Sequence, residues 1–364
     1  MLVGRAGKQE ASVCPSGAAA QLLLRAGYAM VRVAVVGSGG VGGWLGAKLQ
    51  KHSRASVLFV GRAGSAHTAA LRGQGLTYNG ADESFKLPSV DAIDADDATA
   101  GVAPVDYILV CTKTWQLEAA LPAIAALRHA DTVVVATQNG VEAHDRIAAL
   151  CGEGCVLAAV ARVAAYIDSP GVIVKTKAFT GGSLTIGEPF SKPGSPPSAR
   201  VSALCELFSQ AQVAAEPSDD ILKALWTKLV SMGSFGPVGA VSRAPIDVMI
   251  ETPTTLAIVQ AAMKEIVDVG CAKGVSIDRN FPAQYLASTA ASSPAGTTVS
   301  TIRDVLNGSP SEVMELSGAV VRHGRAVGVP TPTHDFLVGA LSPQERSHRG
   351  ERTFTMAGVV TNKL

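Results

Sequence analysis

The sequence predicts a doubly wound α/β domain built on a parallel sheet, followed by a smaller all-helical domain. Three observations predict it. An apolar strand runs without a break into a glycine turn over residues 33–42. Strands apolar enough to be buried on both faces then alternate with helical segments through the first half of the chain. From about Asp219 onward, apolar residues recur at helical spacing with little strand signal. The expected organisation is residues 1–30 as an extension outside the fold, 31–218 as the sheet domain, 219–345 as the helical domain and 346–364 as a flexible tail.

The first strand leads directly into Gly37-Ser38-Gly39-Gly40-Val41-Gly42, the pattern G-x-G-x-x-G. Gly37 permits the tight turn out of the strand, Gly39 removes a side chain where backbone must approach a pyrophosphate, and Gly42 lets the following helix pack close on the strand. The helix from Val41 offers its N–H groups and positive dipole end to the phosphates. The amphipathic segment Trp44 to Leu49 and a second strand, Ser56 to Val60, complete a βαβ unit. This reads as a Rossmann-type dinucleotide site, with Gly37, Ser38, Gly39, Gly40, Val41 and Gly42 as the phosphate-binding residues; the plainer alternative is a glycine-rich structural turn. A free ribose hydroxyl calls for Asp or Glu about twenty residues past the glycines, whereas a 2′-phosphate calls for Arg. Here the second strand ends in Gly61-Arg62, and the nearest acidic residue is Asp82. NADP is therefore favoured over NAD, with Arg62 as the phosphate clamp and Gly61 leaving room beside it; the plainer alternative for Arg62 is a solvated surface arginine.

Further strands are expected at 107–110, 132–135 and 155–160, with a helix between the first two over 117–127. Strands at 172–174 and 183–186 read as antiparallel additions, and Lys192 to Ser198 as a loop. Helices are expected over 221–229, 254–273 and 311–327. A net charge of +1 with 17% charged residues gives neither a basic footprint for nucleic acid nor a polybasic face for membranes. Apolar runs are too short for a membrane span, which indicates a soluble protein. The six cysteines lack paired metal-type spacing, so no metal site and a reducing compartment are expected. Residues 1–30 read either as an organelle transit segment or as an over-extended start whose folded product begins at Met30. The first would place the protein in an organelle; otherwise it is cytoplasmic.

Ligands in open α/β sheets bind outside the carboxyl ends of the strands. Two stretches fall there, Cys111-Thr112-Lys113-Thr114-Trp115-Gln116 and Gln138-Asn139-Gly140. Lys113 supplies a cation and Asn139 a donor and an acceptor, which suits an anionic or carbonyl-bearing substrate. The plainer alternatives are a solvated loop lysine and a turn residue before glycine. In the helical domain Lys228 lies at the flank of an apolar face, where a lysine ordinarily reaches solvent. Ser309-Pro310-Ser311-Glu312 reads as a capping box, a structural competitor for Glu312. Ser300 falls in a Ser/Thr-rich loop. With no histidine at a strand end, lysine is the default proton donor.

Taken in order, these motifs resemble the ketopantoate reductase family, the 2-dehydropantoate 2-reductases of pantothenate synthesis, from about Val31 to Leu341. They are the glycine turn, Arg62 with Leu71 to Leu76, Lys113 to Gln116, Asn139-Gly140, Leu184 to Glu188, Trp226 to Leu229 and the Ser300 to Glu312 interval. The resemblance implies NADPH-dependent reduction of a small 2-oxo acid, with Lys228 protonating the carbonyl oxygen. It further implies that Glu312 holds the substrate hydroxyl and Ser300 its carboxylate. Lys113 and Asn139 would line the cleft next to the nicotinamide, and Lys113, Asn139 and Glu312 are also implied in cofactor binding. A homodimer is compatible with the sequence, which does not fix the assembly. The chain departs from the family in one respect: the asparagines usual four and eight residues after the lysine are here Met232 and Gly236. Reductase chemistry is thus better supported than ketopantoate itself, and a paralogue acting on a different carbonyl compound is the second reading. A non-catalytic NADP-binding sensor is the third. Lys228 and Glu312 together argue against it.

Overall fold

Alternation along the central strands sets the architecture. On β1 (Val31–Val36) Val33 and Val35 enter one apolar core while Ala34 and Val36 enter another, as the two-residue side-chain period requires. The same division holds for β6 (Tyr107–Val110) and β7 (Val133–Ala136). Strands buried on both faces must be covered on both faces, and helices supply the cover. The computed structural model describes residues 30–177 and 182–354. The expected extension, apart from Met30, and the last ten residues of the expected tail lie outside them.

The described chain divides into two units: residues 30–138 with Ala143–Ile221, and Asn139–Glu142 with residues 222–354. In the first, α1 (Gly40–His52) joins β1 to β2 (Ala55–Gly61), and α2 (Ala66–Gln74) leads to β3 (Leu76–Gly80), β4 (Ser84–Leu87) and β5 (Asp91–Asp94). Beyond β6 come α3 (Leu117–Ala126), β7, α4 (Ala143–Cys151), β8 (Val156–Arg162), β9 (Ala165–Ser169), β10 (Val172–Lys175), β11 (Ser183–Gly187), α5 (Ala199–Gln210) and β12 (Ala214–Ser218). The main sheet has the order β12-β11-β8-β7-β6-β1-β2-β5. It is parallel from β5 to β8; β11 joins antiparallel, as expected for residues 183–186.

The expectation for residues 172–174 needs correction. β10 lies in a second sheet of order β4-β3-β10-β9, parallel to β3 and antiparallel to β9. This sheet also packs against one side of α1. Lys48 is only 2% exposed: its Nζ lies 3.0 Å from Asp82 Oδ2 and also pairs with Glu83. Lys175 reaches Asp82 at 3.4 Å, and the Tyr78 hydroxyl donates to it at 2.9 Å. Asp82, the nearest acidic residue past the glycines, thus serves to bind α1 to the second sheet.

The second unit contains α6 (Ile221–Ser242, from Leu222 onward), α7 (Ile246–Glu251), α8 (Pro253–Ala272), α9 (Phe281–Ser292), α10 (Ser300–Leu306), α11 (Val313–Val327) and α12 (Pro332–His348). No strand occurs among its described residues. Three readings are corrected here. Ser300 opens a short helix. Residues 346–348, expected in the tail, belong to α12. Helix α11 begins at Val313, without the expected capping box. The Ser311 hydroxyl accepts from Val313 N–H at 3.2 Å, and Glu345 holds Ser311 in place through its N–H (3.1 Å) and hydroxyl (2.5 Å). Tertiary bonds to a buried carboxylate therefore displace the local cap. No helix among the described residues is long and apolar enough to cross a membrane.

Burial alone would push the Asp82 carboxyl up, but hydrogen bonds from Lys48 and Tyr78 and the charge of Lys48 hold it at about 2. A depressed carboxylate contributes stability above its unfolded pKa and loses it as pH falls through the folded value. Denaturant unfolding should show the wild type losing stability between about pH 4 and pH 2, by on the order of 1–2 kcal/mol more than Asp82→Asn. Identical pH slopes in the two proteins would rule out this role.

Candidate active site

Gly37 follows β1 with φ of +99°, and a Cβ there would stand 2.6 Å from the Thr112 nitrogen. A Cβ on Gly42 would collide with the Gly37 carbonyl. These are the turn and close-packing roles read from the sequence. Gly39 differs, since nothing lies within 4 Å of a Cβ built there. Open space at the N-terminus of a thirteen-residue helix, with first-turn N–H groups that lack intrahelical acceptors, fits a pyrophosphate. Ser38 is buried beside it, and Val41 lies in the first turn. Gly40 has a reason the sequence did not show: a side chain there would collide with the Ala165 carbonyl at the start of β9.

Arg62 follows β2 and is exposed, its carbonyl accepting from Ser65 N–H at 3.1 Å. Gly61 is glycine because a Cβ would collide with the Thr68 hydroxyl, rather than to leave room for Arg62. Register brings Asp94 opposite Gly61 on β5, an acid the sequence reading passed over because it is distant along the chain. Arg72 approaches Asp94 at 3.5 Å. On the other side of β1, Lys113 follows β6, is half-buried, and donates its backbone N–H to Gln116 Oε1 at 3.3 Å.

The second unit assembles three of the expected residues. Trp226, Leu229 and Val230 of α6 point into the interior, which puts half-buried Lys228 on the flank. Its Nζ donates to Asn139 Oδ1 at 2.8 Å, and Asn139 Nδ2 donates to Glu312 Oε2 at 3.0 Å. Glu312, 2% exposed, occupies the N-cap position of α11. One amide thus links a lysine to a buried carboxylate 84 residues further along the chain, a link that neither residue's local sequence reveals. Asn139 is itself placed by its short segment. Gly140 has φ of +92°, and a Cβ there would stand 3.0 Å from the Glu315 carbonyl, while Glu142 forms a two-pronged pair with Arg322 at 3.1 and 2.6 Å. Burial pushes the Glu315 carboxyl up, with Arg349 acting in the opposite direction. Ser300 is half-buried at the start of α10 and shares no hydrogen bond with this trio among the described residues. Next to it, buried Thr301 fills the space beside Gly236: a Cβ at 236 would lie 3.0 Å from Thr301 Cβ. Met232 is half-buried on the same helix.

Comparison with known proteins agrees over both units. The family profile described as Ketopantoate reductase PanE/ApbA matches residues 33–189, and that of its C-terminal part matches residues 220–345. A 2-dehydropantoate 2-reductase from Mesorhizobium japonicum is 29% identical over 335 residues, covering 85% of this chain and 97% of its own. The crystal structure of a PanE/ApbA family ketopantoate reductase from Ralstonia eutropha JMP134 superposes with a TM-score of 0.76 at 26% identity, covering 88% of this chain and 100% of that one. A D-mandelate dehydrogenase shares the fold at 22% identity and a TM-score of 0.78, covering 88% and 99%. These matches define an oxidoreductase acting on CH–OH groups. The chain belongs to the ketopantoate reductase family.

Asn139→Ala removes two hydrogen bonds to charged groups and should lower the denaturant-derived stability by about 2 kcal/mol or more. Arg322→Met breaks only a half-exposed pair and should cost about 1 kcal/mol or less. Equal losses would show that the amide bridge carries no special weight.

Proposed function

We propose that the chain reduces a small 2-oxo acid with NADPH, 2-dehydropantoate being the leading substrate and pantoate, on the route to pantothenate, the product. The observation that carries this reading is the Lys228–Asn139–Glu312 chain, which supports a lysine as proton donor in a family of CH–OH oxidoreductases. The reduced nicotinamide supplies the hydride. Hydride addition to a 2-oxo carbonyl builds negative charge on oxygen, and an ammonium within hydrogen-bond reach stabilises that charge and then donates the proton. Lys228 takes this role. Asn139 fixes its direction, because an amide held at its other end by Glu312 cannot turn without losing a bond. Glu312 also receives the substrate hydroxyl, Ser300 lies toward the substrate carboxylate, and Lys113 and Asn139 serve the nicotinamide side. The turn 37–42 takes the pyrophosphate and Arg62 the 2′-phosphate.

A second reading keeps the chemistry and changes the substrate. Thr301 packs against Gly236, 3.0 Å from where a Cβ would stand, so a longer side chain there would require Thr301 to shift, and a threonine stands beside the position where the family usually has an asparagine. Loss of polar contacts favours a less polar 2-oxo acid.

The deciding assay follows NADPH oxidation with 2-dehydropantoate against a panel of 2-oxo acids. Preferred turnover of 2-dehydropantoate supports the first reading, preference for a less polar acid the second, and NADPH binding without any turnover the sensor. Lys228→Ala should lower kcat roughly 10²- to 10⁴-fold while leaving the NADPH Kd unchanged. Arg62→Ala should weaken NADPH about 10- to 100-fold with little effect on NADH; equal loss of both cofactors would remove Arg62 from phosphate recognition.

A further inference from the structure

Gln138 stands two residues past the end of β7, in the strand-end triplet 138–140 from which the proposed chemistry uses only Asn139. It is 6% exposed, and its Nε2 donates to the Thr112 hydroxyl at 3.4 Å, tying the carboxyl ends of β6 and β7 together. Its Oε1 is buried with no hydrogen-bond partner. A buried amide oxygen without a donor is costly, and a fold retains one where a ligand completes it. The neighbouring Thr137 shows the contrast, its hydroxyl donating to the Val110 carbonyl at 2.8 Å.

The position says which ligand atoms are in reach. The glycine turn after β1 takes the pyrophosphate, and the end of β2, where Arg62 stands, faces the adenosine ribose. The sheet order β7-β6-β1-β2 places β6 and β7 on the opposite side of β1. The other half of the dinucleotide therefore runs over the ends of β6 and β7. That half carries hydrogen-bond donors in its ribose hydroxyls and its carboxamide NH₂. We infer that Gln138 Oε1 accepts a hydrogen bond from the nicotinamide–ribose half of the bound dinucleotide and fixes its position at the sheet edge. Thr112 is the positioning residue that sets the amide's orientation. This inference rests on the dinucleotide reading given above.

The test is equilibrium binding without turnover, using the full chain and two ligands: NADPH, and adenosine 2′,5′-bisphosphate, which lacks the nicotinamide ribose. Gln138→Leu should weaken NADPH about 3- to 10-fold and leave the fragment unchanged, while Gln138→Glu, which keeps an acceptor in place, should bind NADPH more nearly as the wild type does. Unchanged NADPH affinity in Gln138→Leu overturns the inference, as does an equal loss of both ligands, which would mean that Gln138 only supports packing. If Gln138→Leu does not fold, Gln138→Met, which keeps the side-chain length without the amide oxygen, decides through its ratio of NADPH to fragment affinity, a reduced ratio supporting the contact and a wild-type ratio overturning it. A wild-type protein that fails to bind NADPH overturns the cofactor reading, and this inference with it.

Discussion

Two-sided burial of the parallel strands is the constraint on which the rest depends. Past Arg32 at the start of β1, the strands β1, β6 and β7 are apolar and buried on both faces, so polar side chains of these strands stand where the strands end. The backbone there is held by strand pairing up to the last residue. Cys111 N–H reaches the Val36 carbonyl at 2.8 Å, and Gly37 N–H the Val60 carbonyl at 2.8 Å. Gly37 consequently packs on the Cys111–Thr112 backbone with no room for a side chain. The turn that fits phosphates and the strand end that carries Thr112 and Lys113 are one packed arrangement, and a change in either displaces the other.

The second sheet extends the same logic to the far side of α1. Its strands press against Gly40 and Gly43, which makes a glycine-rich first turn a packing requirement in its own right. Lys48 and Lys175, both nearly inaccessible, then need Asp82 and Glu83 to balance their charge. Polar interactions here fix which way the small sheet docks within the unit, while the apolar cores on either side of the main sheet supply most of the burial.

In the second unit one asparagine amide does what no single charged residue could. It accepts from Lys228 and donates to Glu312 at once, and its neutral group separates the two charges by a fixed distance. The short segment that carries it is secured by Glu142 and Arg322 and by the left-handed glycine at 140. A short segment held on a helical scaffold therefore sets the direction of the Lys228 ammonium.

Much of this was legible in the chain. Apolar runs and glycine spacing depend on neighbours in sequence, so the glycine turn, the central strands and the long helices could be read directly, and the motif order pointed to the family that the comparisons show. The second sheet was not legible, because its strands are short, partly polar and drawn from residues about a hundred apart. Ser309 to Glu312 carried a good local cap signal that the Glu345 carboxylate overrode. By itself the sequence determined the periodicities, and hence the two-part architecture and the residue types available at strand ends. Only the tertiary structure decided which of those residues meet: Asn139 with Lys228 and Glu312, Thr301 with Gly236, Gln138 with Thr112. The reason is physical: periodicity is a property of adjacent residues, whereas a hydrogen bond or a steric contact between distant ones exists only once the backbone has been brought together around a filled core.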